Sequence, residues 1–183
     1  MKLPNIKILD EKNKLLHQKS KPVTFPLTEE DKKMIEDSIT YLTMSQIEKY
    51  SEKYNLRPGM GLSMVQIGVP KNIFVIVEEI DDEEFKNYII INPKIVSHSE
   101  ELIYVGEGEG CLSVNREVEG IVPRYARMKV EYQDMLGNKQ VIRVREDISV
   151  AFQHEMDHLN GILFVDKIDA KNPYKNKDNM REI

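Results

Sequence analysis

The chain has 183 residues, 40% hydrophobic and 31% charged, with a formal net charge of −5 and a single cysteine. That balance describes a globular chain long enough for one domain over residues 1–183, and one thiol cannot build an internal disulfide framework. No apolar run is long enough to span a bilayer, the polar start MKLPNIKILDEKNK is no signal peptide, and acids interleaved with bases leave no basic stripe for nucleic acid. The expectation is a cytoplasmic protein with neither membrane nor nucleic acid as partner.

Residues 1–27 form a polar leader in which Pro22 and Pro26 discourage helix. The stretch TEEDKKMIEDSITYLTMSQIEKY then reads as one helix over 28–50. Thr28 caps it, acids fill its first turn, and Met34, Ile35, Ile39 and Leu42 share a face. NLRPGMGLSMVQIGVP reads as a glycine-rich loop with room for one helical turn. NIFVIV, NYIIINPKIV and ELIYV read as strands. Residues 120–145 read as a hairpin whose arms, MKVEYQ and KQVIRVR, flank a turn at Leu136-Gly137-Asn138. DISVAFQHEMDHLNG reads as a helix capped by Asp147 and stopped at Asn160-Gly161. ILFVDKI is expected to be a last short strand, and the tail DAKNPYKNKDNMREI to carry little order. Strands followed by one buried helix indicate an α+β fold, with antiparallel or mixed sheets around that central helix.

The chemistry concentrates in QHEMDHLNG. His154 and His158 are four apart, so on a helix they differ by about 40° in direction and about 6 Å in height. Both imidazoles can reach one metal ion, with Glu155 beside them. A catalytic divalent ion takes three protein ligands and keeps one position open. His17 and His98 lie in polar surroundings, and the short stretch after His158 offers only Glu182 as a glutamate. Cys111, in GEGEGCLS, remains. A lone cysteine is ordinarily a small buried hydrophobe. Here Gly106, Gly108 and Gly110 precede it, permitting the close backbone approach that a metal and substrate would demand.

Three motifs, GMGLSMVQ at 59–66, EGCLS at 109–113 and HEMDH at 154–158, resemble in order and spacing the signature of the peptide deformylases, and VPR at 122–124 is similar to a further segment of that family. The resemblance, to the longer-loop bacterial class, implies Cys111 as the third ligand beside His154 and His158. It also implies hydrolysis of the formyl group of N-terminal formyl-methionine on new polypeptides, releasing formate. Glu155 would move the proton, while Gln66 and the backbone N–H of Leu112 would stabilise the oxyanion. The implied cofactor is one divalent ion, ferrous iron in the cell, with zinc, nickel or cobalt as chemically acceptable substitutes. The implied partners are formyl-Met N-termini of nascent chains, with transient ribosome contact.

Val150 and Ala151 lie one turn before His154 and, with Met60 and Leu62, could line a slot for the methionine side chain; plain core packing is the alternative. Gly59 to Gly61 could pair with an extended peptide. Glu109 and Arg124 could orient the cysteine loop or form an ordinary surface pair, and Asp157 could serve a ligand histidine or face solvent. The family usually has two alanines where this chain has Ser63 and Met64, on a segment expected to pack behind the site. Two other readings compete: a metallopeptidase, which needs a third ligand downstream of HEMDH, and a peptide-binding relative without turnover.

Overall fold

The computed structural model describes residues 1–183 and builds an α+β fold of three helices and eight strands. The first helix, α1 (Glu29–Gln46), starts as its sequence dictates. Thr28 Oγ accepts the Asp31 N–H at 3.0 Å, and Glu29, Glu30 and Asp31 place negative charge at the positive end of the helix. Ile35 and Leu42 are fully buried, and Met34 and Ile39 pack half-buried against the same cluster. The helix does not run unbroken to Tyr50. Ile47 adopts extended backbone (φ −93°, ψ 115°) and buries its side chain, and α2 (Glu48–Tyr54) restarts beyond it. The break leaves the end of α1 free to hold the glycine loop. Gln46 Nε2 donates to the carbonyls of Gly59 (3.1 Å) and Val77 (3.0 Å), and Ser45 Oγ accepts the Gly59 N–H at 3.1 Å.

Part of that loop is a strand. Residues Gly61–Ser63 (β1) pair antiparallel with β2 (Ile73–Asp81), and Met64–Ile67 supply the expected helical turn, in 3-10 form. β2 and β3 (Glu84–His98) form a hairpin, joined by β6 (Arg127–Gln133) and β7 (Lys139–Arg145) in a five-stranded antiparallel sheet of order β1-β2-β3-β6-β7. The pairing of β3 with β6 shifts at Asn92-Pro93, where proline has no N–H to offer the ladder. The β6–β7 turn forms where expected, with Gly137 at φ +86°.

Strand alternation explains why the first five residues of β2, Ile73–Val77, are all apolar: both faces are covered there. Ile73, Val75 and Val77 face the α1 side with Ile35, Leu42, Leu62 and Ile91. Phe74 and Ile76 face the other side, with Phe152 and Leu159 of α3 (Glu146–Leu159). Phe152 meets Phe74 edge-on at 5.3 Å between ring centroids.

β4 (Leu102–Tyr104) is the centre of a second, mixed sheet, antiparallel to β5 (Arg124–Tyr125) and parallel to β8 (Arg181–Glu182). The tail is therefore ordered, contrary to expectation. Arg181 reaches both Glu146 (2.7 Å) and Glu101 (2.8 Å), and Pro173 accepts the Ile121 N–H at 3.0 Å; these partners come from tertiary structure that composition does not reveal. Residues 162–168 are not a strand. Asp166 Oδ2 takes the Leu163 N–H at 2.8 Å and winds Phe164–Lys167 into a 3-10 turn.

The leader is also built in. Asn13 caps a 3-10 turn (Lys14–His17) that buries Leu16, and Leu9, Glu11 and Ser20 donate backbone N–H bonds of 2.8 Å to the carbonyls of Gln66, Ser113 and Leu159.

Candidate active site

Helix α3 carries HEMDH, and the sequence fixes its rotation. Gln153 binds the backbone of Tyr125 in two directions, its Oε1 accepting N–H at 2.9 Å and its Nε2 donating to the carbonyl at 3.0 Å, while Ser149 Oγ donates to the same carbonyl at 2.7 Å. Asp147 is not the cap. β7 runs directly into the helix through Glu146 at φ +52°, whose N–H goes to Ala126, so Arg145 holds the cap position with no side-chain bond and Asp147 sits in the first turn. At the other end Asn160 and Gly161 (φ +73°) stop the helix as expected.

The loop between β4 and β5 brings Cys111 to this helix. Cys111 Sγ lies 3.3 Å from His158 Nε2, and Cys111, His154 and His158 offer donor atoms within 4.8 Å of one another. A tetrahedral ion at ordinary Zn–S and Zn–N lengths holds sulfur and nitrogen about 3.6 Å apart. His154 Nδ1 is engaged by Glu109 Oε1 at 2.9 Å, which leaves its other ring nitrogen for an ion. A soft thiolate with two imidazoles suits a divalent transition metal, so the residues present fit one. The glycines before Cys111 serve partly as expected, for an unusual dihedral at Gly108 and a close approach at Gly106, though the approach is to the tail. A Cβ on Gly106 would strike Glu182 of the tail, Gly108 takes φ +85°, and Gly110 faces open space.

Behind the cluster lies a buried polar network. Arg124 is 1% exposed and binds Glu109 through two nitrogens (2.8 and 2.9 Å) and Asp157 through a third (2.6 Å); Asp157 also meets Lys167 at 3.2 Å. Glu109, Arg124 and Asp157 are thus one unit behind the histidines rather than surface charges. Burial pushes the Glu109 carboxyl up, but hydrogen bonds from His154 and Arg124 outweigh it and hold it down at about 2. Burial disfavours charge on His154, yet its bonds to Cys111 and Glu109 prevail and raise it to about 10. Burial, then the neighbouring His154 charge, push His158 well below its usual value.

Glu155 stands beside this cluster, 4% exposed, and burial pushes its carboxyl up, opposed in part by His154 and the Ser63 hydroxyl. Ser63 Oγ lies 2.8 Å from Glu155 Oε2, and the Ser63 N–H donates to Gln66 Oε1 at 2.9 Å. That bond turns Gln66 Nε2 toward Ser113 Oγ (3.0 Å) and Cys111 Sγ (3.6 Å). Arg57 grips the cysteine loop from outside, through the carbonyls of Val114 (2.9 Å) and Cys111. Leu112 packs against Gly59, and its N–H is taken by no acceptor in the protein.

These groups border a cleft of about 600 Å³, lined by Gly59, Met60, Gly61, Val150, Ala151 and Phe164 among others. Leu62 does not line it. Alternation along β1 turns Gly61 and Ser63 toward Glu155 and sends Leu62 into the core against Ile35 and Leu42. Sequence reasoning also missed Arg57, Ser113 and Phe164. Ser113 stood inside EGCLS, and Arg57 just before the glycine loop, but nothing local marked either.

The sequence profile of polypeptide deformylases matches residues 6–174. Peptide deformylase of Ligilactobacillus salivarius is 44% identical over 169 residues, 91% of each chain, and peptide deformylase 2 of Bacillus subtilis is 42% identical over 164 residues, 90% of this chain and 89% of that one. The crystal structure of peptide deformylase from Thermotoga maritima superposes with a TM-score of 0.70 at 30% identity, covering 90% of this chain and 97% of the other. With that likeness spanning the glycine loop, the cysteine loop and the HEMDH helix, the chain belongs to the polypeptide deformylase family, hydrolases that remove the N-terminal formyl group of nascent polypeptides.

Proposed function

We propose that residues 1–183 act as one catalytic domain in which Cys111, His154 and His158 hold a divalent metal ion, Glu155 moves the proton, and Gln66 with Leu112 receives the developing negative charge. The ion, bound there, supplies the Lewis acidity that makes hydroxide available near neutral pH. Glu155 takes a proton as water adds to the formyl carbon, then gives it to the amine nitrogen as the C–N bond breaks, releasing formate and a free amino terminus. The Gln66 Nε2 and the unengaged Leu112 N–H donate to the formyl oxygen as it gains charge. The observation that carries this reading is the buried Glu155 carboxyl group standing beside a converging thiol and two imidazoles, with Cys111, His154 and Glu155 lining one cleft.

The peptide lies along β1, which is the edge of its sheet and so has one side free to pair with an extended chain. Gly59, Met60 and Gly61 form that rim, and Val150 and Ala151 floor the slot for the methionine side chain. The resident ion in the cell is ferrous iron, as the family resemblance implies, and a thiolate with two imidazoles would also hold zinc, nickel or cobalt. The protein works in the cytoplasm, and nascent substrates bring it into transient contact with the ribosome. No helix is long and apolar enough to cross a membrane.

The test is formate release from a formyl-Met peptide by anaerobically purified protein. Turnover should disappear in Glu155→Gln with metal still bound, disappear on chelation and return with added ferrous iron. Glu155→Gln retaining more than about a tenth of the activity would remove the residue from its role.

A further inference from the structure

Ser63 is a fully buried polar residue on β1, and the structure gives its hydroxyl a partner. Its Oγ, fully buried, lies 2.8 Å from Glu155 Oε2 and 3.0 Å from the Glu155 carbonyl oxygen. One hydroxyl has one proton to donate, and the nearer acceptor is the side-chain oxygen Oε2. Mere satisfaction of a buried hydroxyl would have needed only the helix carbonyl.

The other carboxylate oxygen is placed differently. Oε1 lies against the bare Cα of Gly61, where an added Cβ would stand 2.5 Å from it, and Gly61 and Glu155 both line the cleft. On its backbone side Ser63 fixes a second group, for its N–H holds Gln66 Oε1 and leaves Nε2 pointing at the cysteine loop.

From this geometry we infer that Ser63 is a positioning residue for deformylation. Its hydroxyl occupies Glu155 Oε2 and so assigns the proton transfers to Oε1, while its N–H sets the Gln66 amide. The proton leaves water for Oε1 and passes from Oε1 to the amine nitrogen as the C–N bond breaks; the Ser63 proton stays on its own oxygen throughout. Alanine keeps the N–H and lacks the hydroxyl, so in this chain the orientation of the base has an anchor that an alanine cannot supply.

This inference rests on the role given to Glu155, and the experiment separates the two. Ser63→Ala, Glu155→Gln and the unaltered enzyme are compared for formate release, bound metal and melting temperature, and the Ser63→Ala structure is solved. For Ser63→Ala, kcat falls about tenfold with KM within about twofold, metal content is unchanged, and the Glu155 carboxylate takes more than one orientation. An unchanged kcat, or a loss that only follows unfolding or metal loss, overturns the inference. If Glu155→Gln keeps its activity, the role of Glu155 falls first and Ser63 with it.

Discussion

Gly61→Ala should separate activity from stability. A Cβ there would sit 2.5 Å from Glu155 Oε1 and 3.0 Å from both Cδ and Cγ. Ordinary contacts of that kind are about 3.5 Å, so the carboxylate must retreat by about 1 Å. The atoms struck belong to the end of a side chain, and the Gly61 backbone lies outside the left-handed region, so alanine adds no backbone strain. Overpacking of this kind costs about 1 kcal/mol, which for a chain this size lowers the melting temperature by about 2–4 °C. Misplacing a catalytic group by about 1 Å costs on the order of a hundredfold in rate. The assay is kcat and KM for formate release beside a thermal melt at matched metal content. A kcat within about threefold of the unaltered enzyme would refute the reasoning. So would a tenfold rise in KM at constant kcat, which would place the damage in peptide pairing instead.

Arg124→Met should strip the partner from two buried carboxylates, Glu109 and Asp157, costing about 3–5 kcal/mol and lowering the melting temperature by roughly 6–20 °C. Glu109→Gln should weaken metal affinity by about 10- to 100-fold, measured by competition with a chelator, because His154 loses the carboxylate that orients its ring. Asp31 predicts an acid dependence. Burial pushes its carboxyl up, but bonds from Lys71 (2.5 Å) and Thr28 outweigh that and hold it below its usual 3.8. A depressed carboxyl contributes stability that is present above the unfolded value and lost as pH falls through the folded one. The melting-temperature gap between Asp31→Asn and the unaltered protein should therefore narrow as pH drops from about 6 to about 3.

The parts legible in the sequence were those set by local rules. Thr28, the apolar face of α1, the Gly137 turn and the Asn160-Gly161 stop all acted as their chemistry directs. The spacing of the HEMDH histidines placed both on the cluster that Cys111 completes, although naming Cys111 required the family resemblance. What failed depended on distant partners. The tail looked disordered because Arg181 finds Glu101 and Glu146 only in three dimensions. Asp147 looked like a cap because nothing in the sequence says that Ala126 accepts the Glu146 N–H. Leu62 was assigned to the cleft because its segment was read as loop; once the segment is a strand, alternation buries that side chain. Ser63 stood out as a departure from the family, yet its partner, 92 residues away, could not be read from either sequence neighbourhood.

The docked leader also works as a clasp on the site. Residues 1–27 bind segments far along the chain: Glu11 closes on Arg116, 105 residues downstream, Val23 on Asn92, 69 downstream, and Ser20 on the Leu159 carbonyl. Leu9 and Glu11 donate their N–H groups to the carbonyls of Gln66 and Ser113, latching together the two loops that meet the HEMDH helix.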